Sequence, residues 1–142
     1  MMGRTAGVRC VDFMGPVQRT EIPIYISSLR RNTSPEEEVD WLASEVETTG
    51  ARGVKIKVGG RMSRNADASP GRSEGVVRAV RRHFGDDFTI YADANGSYDA
   101  PAAIELCRML ESYGVAVLEE PCPFEDVEMT RQVVERTGLV VA

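Results

Sequence analysis

The sequence lacks several features that mark particular classes of protein. No apolar run approaches the roughly 18 residues that a membrane-spanning helix needs. The N-terminal stretch does not pair a basic start with an apolar core, as a secretory signal peptide does. The charge is mildly acidic, with 17 Lys and Arg against 22 Asp and Glu, and no basic stripe interrupts it. We therefore expect neither a membrane nor a nucleic acid as a partner.

Cysteine and histidine are scarce. The three cysteines, Cys10, Cys107 and Cys122, are odd in number and have no metal-type spacing, so we expect a reduced, cytoplasmic protein. The one histidine, His83, follows two arginines at the end of a predicted helix. A cation suits that end of a helix, so we interpret His83 as a solvated helix-terminal residue and not as a catalytic one.

Strand-like and helix-like segments alternate along the chain. The predicted strands are Ile22–Ser28, Val54–Val58, Phe88–Asp93, Val115–Glu119 and Leu139–Ala142. The predicted helices begin after Ser34 and run towards Gly50, then cover Ser73–Phe84, the segment from Asp99 to Gly114, and Phe124–Thr137.

Local signals support the first and last of these helices. Ser34, Pro35 and Glu37 form a capping box with proline at the first helical position. In the last helix we expect three valines to face inward: Val127, Val133 and Val134.

This alternation predicts an α/β fold with a parallel sheet and right-handed crossovers. A complete (β/α)₈ barrel needs roughly 250 residues, whereas the chain has 142. We therefore expect a partial (β/α)₈ TIM-type barrel, with four βα units and a fifth strand.

Three predicted strands end in charged or amide side chains. The pairs are Lys55 and Lys57, Asp93 and Asn95, and Glu119 and Glu120. Residues i and i+2 of a strand point to the same face, so these side chains converge if the strands are neighbours. Carboxylates at adjacent strand ends suit Mg²⁺. A lysine beside that cation and a second lysine should have a lowered pKa and could act as a general base.

Each motif has an ordinary alternative when taken alone. Lysines can protect an edge strand from aggregation, the Asp93–Gly96 segment can be turn chemistry, and Glu119 and Glu120 can form a solvated loop entrance. All three clusters, however, fall at the same end of their strands, where α/β barrels build their active sites.

The order K-x-K, D-x-N and E-E-P through successive strands resembles the enolase superfamily, in its mandelate racemase and muconate lactonizing enzyme branch. The resemblance covers most of the chain. It implies Lys57 as the base, Lys55 as its electrostatic neighbour, and Asp93 and Glu119 as the first two Mg²⁺ ligands. Asn95 and Glu120 would be supporting groups.

The resemblance also implies a reaction class and a domain organisation. We expect proton abstraction α to the carboxylate of a small molecule, most simply dehydration of a sugar acid, with racemisation, epimerisation or cycloisomerisation as the alternative. Residues 1–20 resemble the linker that follows a capping domain, and residues 21–142 the N-terminal half of the barrel. The third metal ligand and the later acid/base residues would lie beyond residue 142.

Two further expectations concern partners. The polar loop from Arg61 to Arg72 contains Arg61, Arg64 and Arg72, which either bind a substrate carboxylate or are simply solvated. Unpaired edges of a partial barrel favour self-association, so we expect a homo-oligomer. A catalytically inert fragment is the competing interpretation.

Overall fold

The computed structural model of the chain describes residues 2–142. Within this range, five strands form one sheet in the order of the sequence, and every neighbouring pair is parallel. The strands are β1 (Ile26–Ser27), β2 (Gly53–Lys57), β3 (Thr89–Asp93), β4 (Val117–Glu119) and β5 (Val140–Val141).

Helices follow the first four strands and pack against one another in sequence order. The helices of the described range are α1 (Met2–Ala6), a 3₁₀-helix (Cys10–Phe13), α2 (Pro35–Thr49), α3 (Arg72–Phe84), α4 (Ala100–Ser112) and α5 (Val127–Arg136). This arrangement confirms the predicted partial (β/α)₈ fold with four βα units and a fifth strand.

Helix α2 forms where its capping residues predict. The Ser34 side chain accepts a hydrogen bond from the Glu37 backbone N–H, and the Glu37 carboxylate accepts one from the Ser34 backbone N–H. Gly50 ends the helix with φ 67°, a left-handed conformation that glycine adopts without steric cost.

The two faces of the sheet differ in composition because side chains alternate along each strand. The face towards the helices is apolar and fully buried, and it includes Val54, Ile56, Ile90, Ala92 and Leu118. The opposite face carries the intervening residues of β2, β3 and β4: Lys55, Lys57, Tyr91, Asp93, Val117 and Glu119. The polar face is thus set by strand periodicity alone.

Strand β1 is shorter than predicted. Ile26 and Ser27 are the residues in regular ladder register with β2, and the side chains of Ile22 and Ile24 lie exposed on the edge. Pro23 has no N–H to donate to a ladder, which explains why regular pairing does not extend through this segment.

The inward face predicted for α5 is partly wrong. Val133 is fully buried, but Val127 and Val134 are exposed. Positions seven apart share one helix face, and that face is rotated by about 100° from Val133. The buried stripe instead runs through Val133 and the partly buried Met129.

The segment predicted as a linker holds α1 and the 3₁₀-helix, and its residues from Arg4 to Thr20 are exposed. Its assignment as a linker stays a prediction, as does the boundary at residue 21. Along residues 2–142, no helix combines the length and apolar character needed to cross a membrane.

Candidate functional site

The sheet register brings one lysine and two carboxylates into a row. Lys57 of β2 lies beside Asp93 of β3, which lies beside Glu119 of β4. All three residues end their strands and face away from the helices. Lys55 lies on the same face, one side-chain position earlier in β2.

The four side chains contact one another directly. Lys55 Nζ donates to Glu119 Oε2 at 2.6 Å and lies 3.8 Å from Asp93 Oδ2. Lys57 Nζ donates to the same Asp93 oxygen. Asp93 is 1% exposed and Lys57 is 7% exposed, so the Lys57–Asp93 ion pair is largely shielded from water.

The pKa of Lys55 is raised, in contrast to the lowered lysine pKa expected beside a cation and a second lysine. Burial lowers the pKa of this ammonium, but the hydrogen bond and the negative charge of Glu119 outweigh it. Here the immediate partners of Lys55 are carboxylate oxygens, which favour its charged form.

Lys55 and Lys57 are the two lysines of the whole sequence, in which every other basic residue apart from His83 is an arginine. An ammonium, unlike a guanidinium, can lose its proton at accessible pH once its surroundings disfavour the charge. The two ammonium groups of the chain, which can lose a proton in this way, therefore both lie in the cluster.

Asn95 and Glu120 stand just after β3 and β4, with left-handed backbone at φ 44° and 48°. The Asn95 backbone N–H donates to Asp93 Oδ1 at 2.9 Å, and its Nδ2 donates to Glu120 Oε2 at 2.9 Å. Both residues predicted to support the metal ligands are thus in contact with the row or with each other.

The donor set fits Mg²⁺. Asp93 and Glu119 offer hard carboxylate oxygens from adjacent strands, and the Lys55 ammonium already lies within 3.8 Å of an oxygen of each. Between residues 2 and 142, however, no group of three His, Cys, Asp or Glu side chains comes within reach of one ion. The site therefore offers two carboxylates, and water would fill the other positions.

The three loop arginines occupy different surroundings. Arg61 and Arg64 are exposed, and Arg64 lines a cavity of about 450 Å³ together with Met62 and Tyr98. Arg72 is buried, and its guanidinium donates to the backbone carbonyls of Thr33 and other residues. Arg72 is therefore engaged by the chain itself, and the structure does not bring it to an open substrate surface.

Sequence reasoning missed Arg31. This residue follows β1, and its Nη2 donates to Asn95 Oδ1 at 2.7 Å. The rule that selected the other residues, polar side chains at the end of a strand, does not reach Arg31, but a broader rule that included the segment after each strand would have selected it. Tyr25 was missed as well: its ring contacts Tyr91 and lies 5.8 Å from Lys55 Nζ.

His83 is exposed in the last turn of α3, and its ring contacts Phe84. It lies at the helix end that leads into β3, whereas the cluster lies where the strands end. This agrees with its interpretation as a solvated helix-terminal residue.

A parallel sheet with sequential strands, and with lysines and carboxylates at the ends of its strands, defines a (β/α)-barrel type of site. Residues 38–142 match the family described as "Enolase C-terminal domain-like". The chain belongs to this family, which confirms the resemblance seen in its three motifs.

Two curated relatives are similar over most of the chain. A chloromuconate cycloisomerase from Pseudomonas sp. (strain P51) is 24% identical over 99% of this chain and 36% of its own length. An L-talarate/galactarate dehydratase from Salmonella typhimurium is 28% identical over 90% of this chain and 30% of its own. The chain thus spans about a third of the length of these relatives, which belong to different reaction classes.

A solved structure shows the same fold. The mandelate racemase/muconate lactonizing protein from Paracoccus denitrificans PD1222, complexed with magnesium, is 30% identical with a TM-score of 0.90. The match covers 99% of this chain and 38% of that one. A magnesium complex in a relative of this similarity is consistent with the donor set of the cluster.

Proposed function

We propose that this site removes the proton α to the carboxylate of a small organic acid, with Mg²⁺ as cofactor. Lys57 is the base, Lys55 is its electrostatic neighbour, and Asp93 and Glu119 bind the metal. Bound Mg²⁺ supplies positive charge for the negative charge that develops on the substrate oxygens. Asn95 and Glu120 support the ligands, and Arg61 and Arg64 are candidates for substrate contact.

One observation carries the proposal: both lysines of the chain contact the carboxylates of Asp93 and Glu119 at the ends of adjacent strands. A structural ion pair needs one cation for each anion and no particular cation. Here the residue type that can serve as a base is concentrated beside the residue type that binds Mg²⁺.

The contacts of the chain's own groups support the roles that we propose for them. Lys57 accepts the substrate proton at Nζ once it is neutral and released from Asp93. Lys55 remains charged because its partner Glu119 stabilises the ammonium. Lys55 thus places a positive charge beside the same Asp93 oxygen that Lys57 contacts. The low exposure of Lys57 and Asp93 limits competition from water.

We favour dehydration of a sugar acid as the reaction. The similarity to L-talarate/galactarate dehydratase over 90% of the chain supports this choice. Cycloisomerisation, racemisation or epimerisation is the alternative, supported by the chloromuconate cycloisomerase relative, which is matched over 99% of the chain. The proposed common step, proton transfer at the α-carbon, uses the same four residues in either case.

A second candidate is that the 142 residues alone bind Mg²⁺ weakly and catalyse nothing. The two-carboxylate donor set of the described residues favours it. Self-association through the outer edges of β1 and β5, with two copies completing one barrel, stays a prediction.

Exchange of the α-proton in deuterated water distinguishes the two candidates. The chain is incubated with Mg²⁺ and a panel of sugar acids, galactarate among them, and exchange is followed by proton NMR. We expect Lys57→Met to lose about 100- to 10,000-fold in exchange rate, the range of general-base catalysis. Arg52→Gln serves as the control because Arg52 is exposed at the opposite end of β2.

Equal exchange in the wild type and in Lys57→Met would contradict the proposed function and support the inert candidate. Exchange that depends on Lys57 and persists without Mg²⁺ would contradict the metal's role alone.

A further inference from the structure

Arg31 connects three loops at the carboxyl ends of the strands. It follows β1, and its guanidinium donates from Nε to the Gly59 carbonyl at 3.0 Å and from Nη2 to Asn95 Oδ1 at 2.7 Å. These two bonds join the segment after β1 to the segments after β2 and β3. Because the guanidinium is planar, two bonds from different nitrogens fix its orientation.

Asn95 carries this connection to β4. Its Oδ1 accepts from Arg31, while its Nδ2 donates to Glu120 Oε2 at 2.9 Å. A flipped amide would set its NH₂ group against a guanidinium that only donates, and its oxygen against a carboxylate that only accepts. Arg31 and Glu120 together therefore permit one orientation of the Asn95 amide.

The backbone is strained at two residues of this chain of contacts. Asn95 and Glu120 adopt left-handed backbone at φ 44° and 48°, a conformation that is uncommon for asparagine and rarer still for glutamate. Such conformations persist only where the surroundings hold them. The Asn95 backbone N–H in turn donates to Asp93 Oδ1, so its conformation bears directly on the Asp93 carboxylate.

We propose that Arg31 is a positioning residue that fixes the Asn95 amide and, through it, Glu120 and the Asp93 carboxylate. Arg31 contacts Asn95 and leaves the lysine–carboxylate row untouched, so it acts on the site through another residue. Its link to Mg²⁺ rests on the proposed function, whereas its effect on Asn95 does not.

Burial supports a fixed role for this side chain. Arg31 is partly buried, and burial together with the charges of Arg61 and Arg72 lowers its pKa. Among residues 2–142, no carboxylate oxygen lies within 4.0 Å of its guanidinium. Its nearest acceptors are a carbonyl and an amide oxygen, so its contacts to Asn95 and Gly59 do not serve to neutralise an acid.

Hydrogen exchange of side-chain amides tests the proposal without any metal or substrate. The chain has three asparagines and two glutamines, so its side-chain amide spectrum is simple to assign. In the wild type we expect the Asn95 NH₂ to exchange about tenfold or more slowly than that of the exposed Asn32, as a bond to a charged group implies. In Arg31→Gln the Asn95 rate should rise towards that of Asn32, because an amide no longer held at Oδ1 by Arg31 is free to turn away from Glu120.

Two further variants test whether Asn95 depends on the two hydrogen bonds of the Arg31 guanidinium or only on its positive charge. Arg31→Lys retains the charge but not the two-bond fork, so it should restore Asn95 protection only in part. Arg52→Gln makes the same change of charge at an exposed arginine at the other end of β2 and should leave Asn95 unchanged. If Arg31→Gln does not fold, the wild-type rates and Arg31→Lys decide the matter.

Mn²⁺ affinity, measured by paramagnetic broadening of the two lysine signals, gives the second readout. Removing a positive charge near Asp93 should by itself strengthen cation binding. We expect Arg31→Gln to weaken it about tenfold, the equivalent of one charge-assisted hydrogen bond.

Tighter Mn²⁺ binding, or unchanged Asn95 exchange, in Arg31→Gln would overturn the positioning role. Absence of Mn²⁺ binding in the wild type would instead contradict the proposed function, and the amide exchange would still test Arg31.

Discussion

Two clusters of charged side chains lie at the carboxyl ends of the strands, and they differ in the atoms that they contact. In the first, Arg72 donates to the carbonyls of Thr33, Lys57 and Arg30 at 2.9, 3.1 and 3.3 Å and lies 4.0 Å from Glu38. In the second, Lys55 and Lys57 contact the side chains of Asp93 and Glu119.

The difference separates a structural cluster from the cluster for which we propose a function. The partners of Arg72 are mostly backbone atoms, which cannot leave without breaking the chain's own geometry. The partners of the lysines are carboxylates, which can exchange an ammonium for a metal ion while the backbone stays in place. Burial alone does not distinguish the two clusters, because Asp93 is 1% exposed and Arg72 is 5% exposed.

The largest expected effect lies in the structural cluster. Arg72→Met should cost about 3–5 kcal/mol of the free energy of unfolding, because it leaves Glu38 fully buried without a cation. Glu38 already has one oxygen without a hydrogen-bond partner in the described structure. Urea unfolding measures the change. Arg78→Met, on the exposed side of the same helix, is the control and should stay within about 0.5 kcal/mol.

Equal losses of unfolding free energy in Arg72→Met and Arg78→Met would contradict the structural role of the Arg72 cluster. A double variant, Arg72→Met with Glu38→Leu, sharpens it: removing both charges should recover most of the lost stability.

An effect of intermediate size is expected in the lysine–carboxylate cluster, where Mg²⁺ would replace the ammonium groups as the partner of the carboxylates. Mg²⁺ at one hundred times its dissociation constant should stabilise the wild-type chain by about 2.7 kcal/mol. Asp93→Asn should abolish that gain because it removes one of the two carboxylate ligands. Thermal unfolding with and without Mg²⁺ measures it, and Asp87→Asn, in an exposed turn, is the control. The same Mg²⁺ stabilisation in Asp93→Asn would contradict the assignment of the cluster as a metal site.

The effect that is smallest at neutral pH concerns two buried groups that belong to neither cluster. Burial raises the pKa of the Cys107 and Cys122 thiols to about 11. Since these values lie above the ordinary value, the native state keeps its protons longer than the unfolded state. The stabilising contribution is complete below about pH 9 and is lost as the pH rises through 11.

Thiol labelling and alkaline unfolding check this expectation. At pH 8 a disulfide reagent should modify the exposed Cys10 rapidly and the other two thiols only after unfolding. The double variant Cys107→Ala and Cys122→Ala should lose less stability between pH 9 and 11 than the wild type. Rapid native labelling of all three thiols would show that these two are not protected.

The sequence predicted most of the fold because its signals are local. The capping box at Ser34 and the alternation in β2 and β3 each depend on residues that are neighbours along the chain. Predictions failed where packing decided the outcome. Nothing local distinguishes the buried Val133 from the exposed Val127, because the rotation of α5 depends on what it packs against.

The candidate site, like the fold, could be predicted only in part from the sequence. The charged motifs and their strand ends could be read directly, and the parallel order followed from the alternation of strands and helices. The partners could not: that Lys55 contacts Glu119, two strands away, depends on side-chain reach across the sheet. The burial of Arg72 within a loop predicted to face a substrate depends on how the segment 30–33 folds over it.

By itself, the sequence determined the α/β class and the strand order, since these depend on periodicity and on local backbone signals, and its three strand-end motifs indicated the family. Only the tertiary structure decided which charges meet, which arginine is enclosed and which, like Arg31, holds its neighbours in place. Hydrogen bonds and ion pairs act over a few ångströms, and residues far apart in the chain reach that distance only after the sheet has formed.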